Sequence, residues 1–220
     1  MAKAGPRRAA AGGGDRDRSA ETRAALVEGA IEALRTAGFA GASAREIARR
    51  AGCNQTLIFY HFGSVTDLLL AALDAISERR MAAYRGVLDH TKSLTGLVES
   101  ARSIFTEDLD AGHVTVLVEM IAGARSVPGL GEQVAARLAP WREFAEAAVR
   151  GALASSPLAR LLPAPDVAHA VVAGFLGLEL LANLDGDRAA ALALFDRAAA
   201  LAALLDLTGA LPGEETGGPP

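Results

Sequence analysis

A single cysteine, Cys53, leaves this chain of 220 residues without the means for an internal disulfide. Aromatic residues make up only 5% of it and β-branched runs are scarce, while apolar residues, Ala and Leu foremost, reach 51%. Ala and Leu favour helix, so the composition predicts an all-α fold. The four histidines, His61, His90, His113 and His169, stand apart, no HxxxH or CxxC pair occurs, and no glycine loop follows a strand. With no metal cluster, phosphate loop or positioned nucleophile and base, the chain reads as a non-enzyme without a cofactor. Mean hydropathy is +0.24, yet the longest weakly charged run, 167–184, is interrupted by His169, Glu179 and Asn183. That argues for a bundle helix over a membrane span. The polar, glycine-rich N-terminus carries no secretory signal, so a cytoplasmic location is expected.

Positive charge is also in short supply. The net charge of −4 disfavours a nucleic-acid partner until it is divided along the chain. Residues 1–62 hold ten Lys and Arg against six Asp and Glu, whereas residues 63–220 hold twelve against twenty. The cationic excess therefore falls in the N-terminal part, where phosphates could lie.

What the sequence does have is concentrated in residues 43–70. Ser43 and Glu46 have capping-box spacing, which opens a helix at Ala44 with Ile47, Ala48 and Ala51 facing inward and Gly52 ending it. Asn54 can cap a second short helix over 55–61. Only three or four residues separate the two, the spacing of a DNA-binding helix-turn-helix. Ser64 and Asp67 form a second capping box that opens a longer helix over 65–89. Upstream, a helix over 20–37 aligns Val27, Ile31 and Leu34 in one apolar stripe and stops at Gly38, with Phe39 plugging the three-helix core. Gln55 and Thr56 face outward and can hydrogen-bond base edges.

Taken together, Arg45-Glu46-Ile47-Ala48, Ala51-Gly52-Cys53, Leu57-Ile58-Phe59-Tyr60-His61-Phe62-Gly63-Ser64 and Asp67-Leu68-Leu69 resemble the N-terminal signature of the TetR family of bacterial transcriptional regulators. The resemblance covers about residues 22–70. It implies a helix-turn-helix DNA-binding domain over 19–64 and an effector-binding and dimerisation domain over 65–210. Unstructured tails are expected over 1–18 and 211–220; Lys3, Arg7, Arg8, Arg16 and Arg18 of the first could reach a minor groove, or the tail is simply solvated. By the same resemblance Arg45, Gln55, Thr56 and Phe59 would contact bases, and Ser43, Tyr60 and His61 would hold phosphates. Three positions depart from the family pattern: Phe59 stands where many members carry Tyr, Val65 where many carry Lys, and Leu57 where the residue is often small or polar. Other readings stay open, His61 as a packing histidine, Tyr60 as a core aromatic and Cys53 as a small buried hydrophobe.

The remaining chain predicts helices over 93–110, 114–126, 132–154, 166–184 and 187–207, for about nine in all, with a kink or restart near Trp141 caused by Pro140. The last two are apolar on more than one face, which reads as a four-helix dimer interface, a large monomer core being the alternative. The resemblance places an effector pocket among the middle helices. Met81, Tyr84, Phe105, His113, Met120, Trp141 and Phe144 are available to line it, with Glu119 and Arg125 as further polar anchors. Such a lining suits an apolar or aromatic molecule with one polar group. The expected function is a homodimeric, sequence-specific regulator on double-stranded DNA, a repressor released from a palindromic operator by that small molecule. The alternative is a small-molecule or lipid-binding interaction protein with weak or lost DNA binding, suggested by Val65.

Overall fold

A computed structural model describes residues 11–88, 93–154 and 161–209, and among them finds ten helices and no strand. They are α1 (Ala11–Gly41), α2 (Ala44–Ala51), α3 (Thr56–Phe62), α4 (Val65–Leu88), α5 (Leu94–Ala111), α6 (His113–Gly123), α7 (Leu130–Arg137), α8 (Ala139–Leu153), α9 (Ala164–Asp185) and α10 (Ala189–Gly209). The all-α expectation holds. The tally exceeds nine because the stretch around Pro140 is a full break: α7 stops at Arg137, and Pro140, which has no amide to donate, sits in the first turn of α8.

The first helix begins at Ala11, so residues 11–18, expected within an unstructured tail, are its opening turns. Adding turns to a helix already anchored by packing costs little, and the anchor is strong: Leu26, Ala30, Ala33 and Leu34 are fully buried. Residues 1–10 and 210–220, which include Lys3, Arg7, Arg8 and the expected C-terminal tail, lie outside the described residues, as does His90. Gly38 does end the regular helix, with φ 71.

One apolar core runs through α1 to α4 and continues into α6 and α7, where Val116, Leu117, Met120, Leu130 and Val134 join Leu34, Ile47, Ile58 and Leu68. The helix-turn-helix is thus packed directly on the C-terminal helices. Phe39 sits at this junction: its N–H donates to Glu119 at 2.8 Å, and its ring fills the space that a Cβ on Gly123 would occupy. Phe39 therefore lies at the edge of that core, where α1 meets α6. A second cluster, Phe105 with Ala182 and Ala191 and the rings of Phe175 and Phe195 around it, ties α5 to α9 and α10.

Helix α9 is long and apolar enough to cross a membrane by length and composition. It packs on α8, α5 and α6, and carries the fully buried Glu179. Its outer face and that of α10 remain open: Leu181, Leu184, Leu201, Leu204 and Leu207 are exposed, and open space surrounds Gly174 and Gly177.

Candidate nucleic-acid interface and ligand cavity

Local hydrogen bonds build the helix-turn-helix much as its sequence requires. Ser43 Oγ accepts from the N–H of Glu46 at 3.3 Å, and Asn54 Oδ1 accepts from the N–H of Thr56 at 2.9 Å. Gly52, at φ 66, turns the chain between the two helices. At the start of α4 the N–H of Asp67 donates to Ser64 Oγ at 3.0 Å. The first capping box is only half formed, because the Glu46 carboxylate turns away from the Ser43 amide. It accepts instead from Arg49 Nε at 2.9 Å and Arg50 Nε at 2.6 Å, and these two arginines hold its pKa down at about 2.

That choice decides which charges of α2 are free. Arg49 and Arg50 are engaged within the helix, whereas Arg45 is exposed and makes no ion pair among the described residues. Beside it Ser43, Gln55 and Thr56 are exposed, and His61 is half-buried against Tyr60 at 4.9 Å between ring centroids. Phe59 and Tyr60 are 51% and 78% exposed. A core role for Tyr60 is therefore excluded. Ile58 points inward and is fully buried, Leu57 packs on the core, and Phe62 lies under Arg23 of α1, whose guanidinium is 4.8 Å from the ring centroid. Cys53 also packs against the core, and burial pushes its thiol pKa up, as suits a small hydrophobe.

The second feature is a cavity of about 270 Å³ lined by residues of α4 to α10. Tyr84, His113, Trp141 and Phe144, four of the seven residues named above for an effector pocket, line it. The other three residues expected there do not. Met120 is fully buried in the core shared with α1, because its face of α6 is covered by the helix-turn-helix side of the molecule. Phe105 is fully buried in the second cluster, with Phe195 at 5.3 Å and Phe175 at 5.8 Å between centroids. Met81 lies off the lining face of α4, its sulfur 3.4 Å from Arg85. Neither Glu119, engaged with Phe39, nor the exposed Arg125 reaches the cavity.

A buried polar cluster closes one side of this cavity and was not anticipated from the sequence. Arg80, on the cavity wall, donates to Asp108 and lies 3.4 Å from Glu179; Tyr84 donates its hydroxyl to Asp108, and His113 Nδ1 is 3.1 Å from the same carboxylate. Both carboxylates are fully buried. Stacking completes the arrangement, with the Arg80 guanidinium 4.9 Å from the Trp141 ring centroid. Burial raises the pKa of Glu179 to about 8, the nearby Arg80 offsetting only part of it. Burial also opposes the charge of Asp108, but the His113 hydrogen bond and Arg80 outweigh it and hold that pKa low. Tyr84, buried beside Asp108, is pushed well above the usual phenol range. A sequence signal did exist: Glu179 is the one charged residue inside an apolar helical run, and Arg80 falls four residues from both Ile76 and Tyr84.

Residues 26–72 match the family model of bacterial regulatory proteins of the tetR family. That segment is similar to the DNA-binding part of the TetR family. The match spans α1 from its buried stripe through the first turns of α4, and so contains the whole helix-turn-helix. An uncharacterised HTH-type transcriptional regulator of Mycobacterium bovis is 28% identical over 116 residues, 52% of this chain and 59% of that protein. The chain thus spans under two thirds of the length of the curated relative it matches. In fold it resembles a TetR-family member from Streptomyces coelicolor, with TM-score 0.59 and 27% identity over 81% of this chain and 98% of that one. The fold is also similar to that of the regulator FadR from Bacillus subtilis, solved with stearoyl-CoA, at TM-score 0.67 and 12% identity over 81% and 96% of the two chains.

Proposed function

We propose that this protein is a homodimeric, sequence-specific DNA-binding regulator of the TetR family, a repressor that leaves a palindromic operator when a small apolar or aromatic molecule fills the cavity. The observation that carries the reading is the exposure of Phe59 and Tyr60 on a seven-residue helix, beside Gln55, Thr56 and the unpaired Arg45. Large rings left in water on an otherwise well-packed domain mark a contact surface. In this reading Arg45, Gln55, Thr56 and Phe59 contact bases, while Ser43, Tyr60 and His61 hold phosphates. Residues 19–64 serve as the DNA-binding domain and 65–210 as the effector and dimer domain. In this reading the protein works in the cytoplasm.

A helix as short as α3 reads few base pairs, so two copies must act together, with recognition helices about 34–36 Å apart on successive turns of duplex. The open leucine faces of α9 and α10 support such a dimer. Leu181→Glu combined with Leu204→Glu should turn a dimer into a monomer in sedimentation analysis and abolish cooperative operator binding while the helical signal stays intact. A variant that remained dimeric would move the interface elsewhere. Control by the effector would act through α4 and α6, which touch both the cavity and the helix-turn-helix. Complete release needs a differential affinity of about 5.5 kcal/mol between the two states.

The test is binding of the purified protein to labelled DNA flanking its own coding region, against random competitor, at two salt concentrations. Competitor-resistant, salt-dependent binding with a two-fold footprint is expected. In the same assay Arg45→Ala and Gln55→Ala should each cost roughly 1–3 kcal/mol on the operator and little on random DNA. Equal losses on both would remove their base-reading role. A second reading, an interaction protein with weak or lost DNA binding, draws on the absence of Lys and Arg from α3 and on Val65; it predicts binding only at low salt without preference over competitor.

A further inference from the structure

The charges around the cavity are matched before any ligand arrives. Two guanidinium groups line it. Arg80 is held by Asp108 and Glu179, and Arg137 makes a two-pronged pair with Asp74, at 2.7 and 3.1 Å. The three carboxylates stand behind these arginines and contribute nothing to the lining itself. An anionic head would come up against guanidinium groups already neutralised and would add charge beside Asp108 and Asp74. A cationic head would meet Arg80 and Arg137 before any carboxylate. Either ion would lose its hydration for no unpaired counter-charge. Hydrogen bonding, in contrast, is incomplete: Arg80 Nε and Glu179 Oε2 are buried without a partner among the described residues. The rest of the wall is apolar or aromatic, with Trp141, Phe144 and Phe175 among its larger surfaces.

We propose, building on the effector-site reading above, that the cavity selects an uncharged amphipathic molecule whose carbonyl or hydroxyl oxygen turns to the Arg80 end while its hydrocarbon body lies along the Trp141–Phe144 wall. The oxygen accepts from a guanidinium whose charge is already balanced, so a hydrogen bond forms without a net charge being buried.

Trp141 is the sole tryptophan of the chain, so its emission reports events in the cavity. The full chain is titrated at pH 7 and low ionic strength with three probes of matched carbon number: γ-decalactone, decanoate and decylammonium. The lactone should change the emission saturably with a Kd at least tenfold below that of either ion, and Ala148→Phe, which fills part of the cavity, should weaken it at least tenfold. An ion binding as tightly as the lactone, no saturable change with the lactone, or full lactone affinity in the Ala148→Phe variant would each overturn the proposal. DNA release is read separately on the labelled fragment. Lactone binding without release would count against effector control and leave the selectivity intact; tighter binding and release by decanoate would do the reverse.

Discussion

Arg80→Met should lower the unfolding free energy by about 3–5 kcal/mol, the range found when one partner of a buried ion pair is removed. Arg80 has 11% of its side chain exposed, and the two carboxylates it serves have none. Methionine can keep much of the contact with Trp141, so the loss isolates the charge. Asp108 retains Tyr84 and His113, but hydrogen bonds alone do not balance an ion removed from water. Adding Asp108→Asn to the Arg80→Met variant should therefore recover at least half of the loss, because an amide keeps the shape and sheds the charge. Urea unfolding followed by circular dichroism measures both. A loss below about 1 kcal/mol in the single variant would mean that water, not Arg80, balances the cluster.

Glu179 makes the second large prediction, and its sign is fixed by the direction of its shift. Its folded pKa of about 8 stands above the ordinary 4.5, so between those values the folded chain binds more protons than the unfolded one. The stability tied to this group is fully present below about pH 4.5 and is lost as pH rises through 8. Glu179→Gln removes the titration while keeping the size and polarity of a protonated carboxyl. The variant should match the parent near pH 4.5 and exceed it by on the order of 3 kcal/mol at pH 8. Asp108, shifted down, titrates at the acid end and does so in both proteins, so it cancels from the difference. Thermal midpoints measured across this pH range decide the matter: a constant gap between the two proteins would show that Glu179 stays ionised in the fold.

Several features of this protein follow from neighbours along the chain, and those were legible without a structure. Ser43, Asn54 and Ser64 each bond an amide two or three residues away, and Gly52 supplies a backbone angle within its own residue. Such interactions need only the right residue at the right spacing, which is why the helix-turn-helix and its outward-facing Gln55 and Thr56 could be read directly, whereas the exposure of Tyr60 took the structure to decide. Even there one detail escaped. Glu46 had two claimants, the Ser43 amide and the arginines a turn ahead, and the two guanidinium groups outcompeted a neutral N–H.

The cavity was legible only in part for a different reason. Periodicity shows that Met120 and Phe105 face inward, but not which neighbour they face; tertiary packing sent Met120 to the core beneath α1 and Phe105 to the aromatic cluster between α5, α9 and α10. The polar cluster is the clearest case. Arg80, Asp108 and Glu179 come from α4, α5 and α9, and each alone is a charge misplaced on an apolar face. The sequence by itself determined an all-helical chain with a DNA-binding type of helix-turn-helix, because capping and turn chemistry are local. Only the tertiary structure decided which inward residues line a cavity and which charges meet there, because burial and ion pairing depend on helices that the chain brings together from positions far apart.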